Sequence, residues 1–344
     1  PIEDDANKRI GLDVTNNSSS SVTSPSVTNV LIYAKSRTGS TFTASLLQKI
    51  PGSFSSFEPL NMVDFKTLHE NGVRLIHEVL SCQFDAIYQE CLKTGTKQHC
   101  DRWSSFAFCD YGDDLTKNIC IRSNIAQKEA MCKDTRLRST KVVRMSYLKW
   151  LEPLWKDQTY KVIMLLRDPR AMLQSRFLYK QGVDVKDYPE SMLQVAAKHS
   201  CREIVADLKY LKSIKGSMQA DLKILVVRYE DLVMDGLNEL RRIHKFIGLN
   251  EPSSEVVKWL KDEQDRARGK TSMTHFSEGP RSVLRNNMTA TAFNWKKKIP
   301  LKTVLTIQSA PLCQEALTLA GYKLITSQEQ LDSMDNNVVS ELML

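Results

Sequence analysis

The run Val30-Leu-Ile-Tyr-Ala34 is apolar and β-prone, and it breaks at once into Lys35-Ser-Arg-Thr-Gly-Ser-Thr-Phe42. Behind that loop, residues 43–50 read as a helix ended by Pro51-Gly52. A strand, a turn of small residues and a helix N-terminus in succession form an anion cradle. The loop amides point outward, the helix dipole adds positive potential, and small side chains let a phosphate come close. The loop departs from the GxxxxGK[ST] pattern, because its cation is Arg37, ahead of Gly39.

A chain of 344 residues can bury one large α/β core. Its net charge of +8 suits an anionic ligand or polymer. Charge alone does not choose among nucleic acid, membrane and acidic glycan. Six of the eight cysteines (Cys82, Cys91, Cys100, Cys109, Cys120, Cys132) fall in one segment, with Cys201 and Cys313 beyond it. There is no C-x-x-C pair and no histidine at short spacing from a cysteine pair, which argues against zinc. An even count in a poorly periodic stretch predicts disulfides and an oxidising compartment. The pairing is left open, since eight cysteines allow 105 connectivities. N-x-S/T sequons at Asn16, Asn17 and Asn287 point to the same compartment. No apolar run is long enough to span a bilayer. The chain opens on Pro1, so a membrane anchor is expected upstream of it.

Residues 1–27, rich in Asn, Ser and Thr, read as a flexible stem, and residues 331–344 as a C-terminal tail. Between them, residues 28–330 form the expected domain. Residues 66–98 carry a helical amphipathic pattern, and residues 99–135 read as an irregular, disulfide-tied insertion. Strands are expected at 53–57, 139–145, 160–166 and 221–229, with helical patterns at 191–213, 237–246 and 253–261. That alternation predicts an α/β fold, a P-loop-like central parallel sheet flanked by helices.

A second anion-binding pattern follows the apolar run at 160–166. In Arg167-Asp-Pro-Arg-Ala-Met-Leu-Gln-Ser-Arg176, Asp168 suits a helix N-cap and Pro169 the N1 position. Arg167 then lies at the carboxyl end of a strand, where open α/β sheets bind ligands. Ser175 follows two turns into the helix, so its hydroxyl and the Arg167 guanidinium can converge on one phosphate. Taken alone, the motif would also suit an ordinary capped helix start with solvated charges.

The two loops together, followed by Val226-Val-Arg-Tyr-Glu-Asp-Leu232, resemble the sulfotransferase superfamily, most closely the Golgi carbohydrate 6-O-sulfotransferases acting on galactose, N-acetylgalactosamine or N-acetylglucosamine. In that family the first loop reads like R-S-G-S-S-F, here Arg37-Thr-Gly-Ser-Thr-Phe42. The second reads like R-D-P-R-x-x-x-x-S-R, here Arg167 to Arg176. Phe57-Glu-Pro59, Lys141-Val-Val-Arg144, Arg285-Asn286, Trp295 and Ala320-Gly-Tyr-Lys323 extend the resemblance.

The resemblance implies a P-loop-like fold binding 3′-phosphoadenosine-5′-phosphosulfate (PAPS). Arg37, Thr38, Gly39, Ser40, Thr41, Phe42 and Thr43 would hold the 5′-phosphosulfate, and Arg167 with Ser175 the 3′-phosphate. Tyr229 and Arg285 are candidates for closing over the nucleotide. Glu58, at the end of the 53–57 strand, is the expected base for a glycan hydroxyl. Arg37 and Lys141 are expected to stabilise the leaving phosphate, with fixed cations and loop amides in place of a metal.

The expected activity is sulfuryl transfer from PAPS to a glycan 6-hydroxyl, by an enzyme of the Golgi lumen held by an N-terminal anchor outside this chain. A glycan is the expected partner and nucleic acid is not. A P-loop kinase or other NTPase would need a lysine after the glycine, where Ser40-Thr41 stand. A non-catalytic glycan-binding protein on the same fold is the remaining alternative. The six histidines show no triad-like spacing.

Overall fold

The computed structural model describes residues 27–63, 68–108, 124–156, 160–216, 223–267, 292–333 and 339–342. The expected stem, the three sequons, Cys109, Cys120 and Arg285 lie outside the described residues.

Five strands, β1 (Thr28–Ala34), β2 (Ser53–Phe57), β3 (Leu137–Val142), β4 (Tyr160–Leu166) and β5 (Ile224–Arg228), pair in the order β2-β3-β1-β4-β5. Every pairing is parallel, so all five carboxyl ends lie along one edge. The central strands are buried on both faces, which is why they read as unbroken apolar runs. Val30, Leu31 and Ile32 of β1, and Val162 and Ile163 of β4, are wholly inaccessible. Each such side chain stabilises the fold by roughly 1.5–3 kcal/mol.

The connection from β1 crosses by helix α1 (Ser40–Gln48) to β2 on one side of the sheet. That from β3 crosses to β4 on the other. The chain therefore reverses its winding direction around β1, and the crevice so opened at the carboxyl edge is where open α/β sheets bind ligands.

The sheet was legible in outline. Strands β2 and β4 have the expected bounds, while β3 starts and stops earlier than residues 139–145. β5 is shorter than residues 221–229, because Tyr229 opens a helix, Tyr229–Met234, whose first turn carries Glu230 and Asp231. Acidic residues favour that end of a helix dipole. The described parts of 99–135 are helical where the sequence reads as irregular. Lys97–Ala107 starts with Thr96 capping the His99 N–H, and Ile125–Lys133 starts with an Asn124/Gln127 capping box. Cys100 and Trp103 form a buried stripe three residues apart, hidden in the sequence by the charges around it.

Disulfides join Cys82 to Cys132 and Cys91 to Cys100, stapling this insertion. A third, Cys201–Cys313, links the long helix Glu190–Ile214 to the helix Cys313–Leu319. Residues 339–342 return to the domain, Val339 bridging to Tyr322 and the Ser340 carbonyl accepting from Arg228 at 2.6 Å.

Candidate active site

The β1–α1 loop is held open by two left-handed residues, Arg37 (φ 74°) and Gly39 (φ 88°). Glycine is required at position 39 on two counts. Its φ disfavours a side chain, and a Cβ there would land on the Tyr229 ring. Gly39 is the N-cap of α1 and no described side chain caps the helix, so its first amides face the crevice. The Thr38 hydroxyl ties the loop to the Lys35 carbonyl at 2.7 Å.

Arg37 bridges the two anion loops. Its Nε donates to Ser175 Oγ at 3.0 Å, while its carbonyl accepts from the Arg167 guanidinium at 2.9 Å. The sequence paired Ser175 with Arg167; the fold places Arg37 between them, gathering all three around one point. Tyr179 lies beneath the Arg37 guanidinium at 4.7 Å and Tyr229 beneath that of Arg167 at 4.8 Å. Such contacts orient a cation without neutralising it.

Asp168 caps the helix Pro169–Gln181 as expected, accepting the Arg170 N–H at 2.9 Å. Its carboxylate also grips the fully buried Arg170 guanidinium at 2.7 Å. That guanidinium reaches on to Gln308 at 2.7 Å and the Lys323 carbonyl at 3.1 Å. Arg167 therefore projects from a rigid turn.

The second centre is Glu58. It sits at φ 46°, directly after β2, and its N–H is tied to the Lys141 carbonyl at 3.1 Å. The left-handed turn, with Pro59 behind it, aims the carboxylate back over the sheet edge. There it meets Lys141 Nζ at 3.0 Å, and the same ammonium donates to Thr41 Oγ1 at 2.9 Å. Phe57 underlies Lys141 at 3.6 Å. Lys141 is 2 % exposed and Glu58 23 %, so the lysine is the built-in element and the carboxylate the accessible one. One ammonium thus spans the phosphate loop and the carboxylate.

Several supporting residues were not singled out in the sequence. Lys35 is buried behind the loop, 3.1 Å from Asp207 and 2.6 Å from the Tyr33 hydroxyl, and it also donates to the Ser146 carbonyl. Asp207 accepts the Leu148 N–H at 2.7 Å, which fixes the segment leaving β3. Burial pushes the Asp207 carboxyl up, with Lys35 opposing. Arg176 holds the Ser36 carbonyl at 3.4 Å and Ser200 at 3.1 Å, and burial lowers its pKa. Glu230 is buried between Asp168 and Tyr322, and burial raises its carboxyl to about 7. A lysine touching the loop, and the acid beside Tyr229, were the available signals.

Phe42 points inward, 7 % exposed and stacked on Trp259 at 5.6 Å, so the structure gives it a packing contact. Ser40 is buried in the first turn of α1, and the Thr43 hydroxyl reaches the Gly39 carbonyl at 3.4 Å. Among the described residues no group of His, Cys, Asp or Glu could hold a metal ion.

An uncapped helix end with convergent cations at the carboxyl edge of a parallel sheet defines an α/β protein whose crevice suits a phosphate-like anion, with a carboxylate within reach. The chain belongs to the sulfotransferase domain family, whose pattern matches residues 27–318. Carbohydrate sulfotransferase 1 of Rattus norvegicus is 25% identical over 361 residues, covering 91% of this chain and 84% of its own. Carbohydrate sulfotransferase 4 of Mus musculus is 25% identical over 348 residues, covering 91% and 86%. Mouse sulfotransferase SULT7A1, solved with PAP, aligns over 85% of each chain at 13% identity, with a TM-score of 0.44. Among the described residues no helix is long and apolar enough to cross a membrane.

Proposed function

We propose that the protein transfers a sulfuryl group from PAPS to a hydroxyl, the 6-hydroxyl, of a glycan sugar. Glu58 acts as base. Bound at the β1–α1 loop, PAPS supplies an activated sulfuryl group on a phosphate leaving group. The residues present suit it. The uncapped amides of α1 can receive an anion, and Arg37, Arg167 and Ser175 offer donors for a second phosphate.

The observation that carries the reading is the chain Thr41–Lys141–Glu58, with the ammonium 2.9 Å from one end and 3.0 Å from the other. Lys141 can attend to charge developing on the leaving phosphate while orienting Glu58. The Glu58 carboxylate takes the proton of an incoming hydroxyl, and the acid so formed is held by the same lysine. Thr41 fixes the lysine, so little reorganisation accompanies transfer.

The carbohydrate names of the relatives support a glycan acceptor, and the net charge of +8 suits an acidic chain. The three disulfides among the described residues suit an oxidising lumen such as that of the Golgi. The test is transfer of labelled sulfate from PAPS to chondroitin, keratan and N-acetylglucosamine-terminated acceptors, with product analysis for the sulfated position. Sulfate at the 6-hydroxyl supports the proposal. PAP binding without transfer to any acceptor would replace it with a non-catalytic glycan binder.

A further inference from the structure

The first turn after β5 sets Tyr229 and Glu230 side by side and sends them in opposite directions. Tyr229 faces the phosphate loop, against Gly39 and Arg167. Glu230 turns inward and is 1 % exposed. One of its carboxylate oxygens accepts the Asp168 N–H at 3.1 Å, and the other accepts the Tyr322 hydroxyl at 2.8 Å. Asp168 is the residue directly after Arg167, so this carboxylate fixes the peptide behind the cation.

The charged groups around it are few. The Arg167 guanidinium attracts the carboxylate and Asp168 repels it, the latter already engaged by Arg170 at 2.7 Å. Arg228, at the end of β5, acts on Tyr322 and is itself paired to Asp231 at 2.7 Å. No step of sulfuryl transfer uses Glu230.

We propose that Glu230 is a positioning residue for the anionic nucleotide: it holds the Arg167–Asp168 turn, balances Arg167 before the nucleotide arrives, and takes up a solvent proton when the phosphate takes over that charge. This rests on the nucleotide reading above. Burial disfavours the carboxylate and Arg167 favours it, which leaves the group titrating at about 7. A phosphate dianion beside Arg167 removes part of that support and adds negative charge, so both effects favour the neutral acid. The proton comes from solvent and binds a carboxylate oxygen. The Tyr322 hydroxyl can turn from donor to acceptor for the added proton. By linkage, nucleotide affinity must then rise as the pH falls through the neutral range.

The experiment is isothermal titration of the protein with adenosine 3′,5′-bisphosphate at pH 7, in two buffers of different ionisation enthalpy. Net proton uptake on binding is expected. The ligand's own phosphates, with a second pKa near ~6, are largely ionised there and contribute little. Across pH 6 to 8 the affinity of the wild type should weaken by about fivefold more than that of Glu230→Gln, for one pKa unit of coupling. The glutamine keeps an acceptor oxygen but cannot titrate. In turnover, Glu230→Gln, fixed in the neutral form, should lower KM for PAPS more at pH 8 than at pH 6, with a smaller change in kcat. Saturable binding with no proton uptake by the wild type overturns the inference and leaves the nucleotide site standing. This outcome needs no variant, so a Glu230→Gln protein that failed to fold would not decide the matter. No saturable binding at any pH overturns the nucleotide reading, and this inference with it.

Discussion

Glu58 and Gly39 show how one backbone angle can set the geometry of a candidate site. The φ of 46° at Glu58 turns its carboxylate back toward Lys141 instead of out along the strand. On the proposed role of Glu58, Glu58→Gln keeps the size and loses the base, so kcat should fall by about 10²–10⁴-fold, with the Kd for adenosine 3′,5′-bisphosphate nearly unchanged. Turnover near the wild-type rate would sink the assignment. Gly39→Ala should cost nucleotide affinity as well as stability, because the new methyl meets the Tyr229 ring. Combining it with Tyr229→Ala should relieve the clash but leave roughly 1–2 kcal/mol of left-handed strain, readable by denaturant unfolding against Tyr229→Ala alone. Full recovery in the double variant would mean that the φ is not a constraint.

At the scale of elements, legibility followed the physics that each signal reports. The β4 run and the Asp168–Pro169 helix start are local patterns, and the structure keeps both. Lys141 and Glu58 could be named from their motifs, but their contact could not. It depends on Phe57 and Lys141 being register partners on neighbouring strands. Lys35 was passed over because Asp207, its partner, is 172 residues away in sequence and faces it only after the long helix packs on the sheet. The insertion was misread for a different reason: its helices bury a narrow cysteine and tryptophan stripe under many charges. The Cys201–Cys313 disulfide closes a sequence separation of 112 residues, so replacing both cysteines by alanine should cost about 2–5 kcal/mol in chemical denaturation. An unchanged midpoint would show that packing alone holds those helices together.

At the scale of the whole molecule, charge and pH act on top of this framework. A net charge of +8 should make the KM for a polyanionic acceptor rise steeply with salt, while a neutral oligosaccharide acceptor responds little. Equal salt dependence for both would remove charge from acceptor recognition. His244 is buried in the helix Gly236–Ile247, and burial lowers its pKa below the ordinary 6.5. The unfolded chain therefore takes up a proton below pH 6.5 that the folded protein refuses. The stability this group allows is full above that pH and falls as the pH drops through the lowered folded value. Thermal melts should show the wild type losing ground to His244→Leu as the pH falls from 7.5 to 5, on the order of the ordinary histidine range; a constant gap would count against the mechanism.

The Cys201–Cys313 bond also joins a support of the β1–α1 loop to a support of the Arg167–Asp168 turn. One of its helices carries Asp207 behind Lys35, and the other leads into Tyr322 behind Glu230. Both sulfurs are sealed from solvent, so a reductant can reach them only if the helices part. The bond is then a decision taken during biosynthesis and not a setting adjusted in service. Thiol added to the finished enzyme should leave turnover intact, whereas the same thiol present throughout refolding should yield a chain that binds nucleotide poorly.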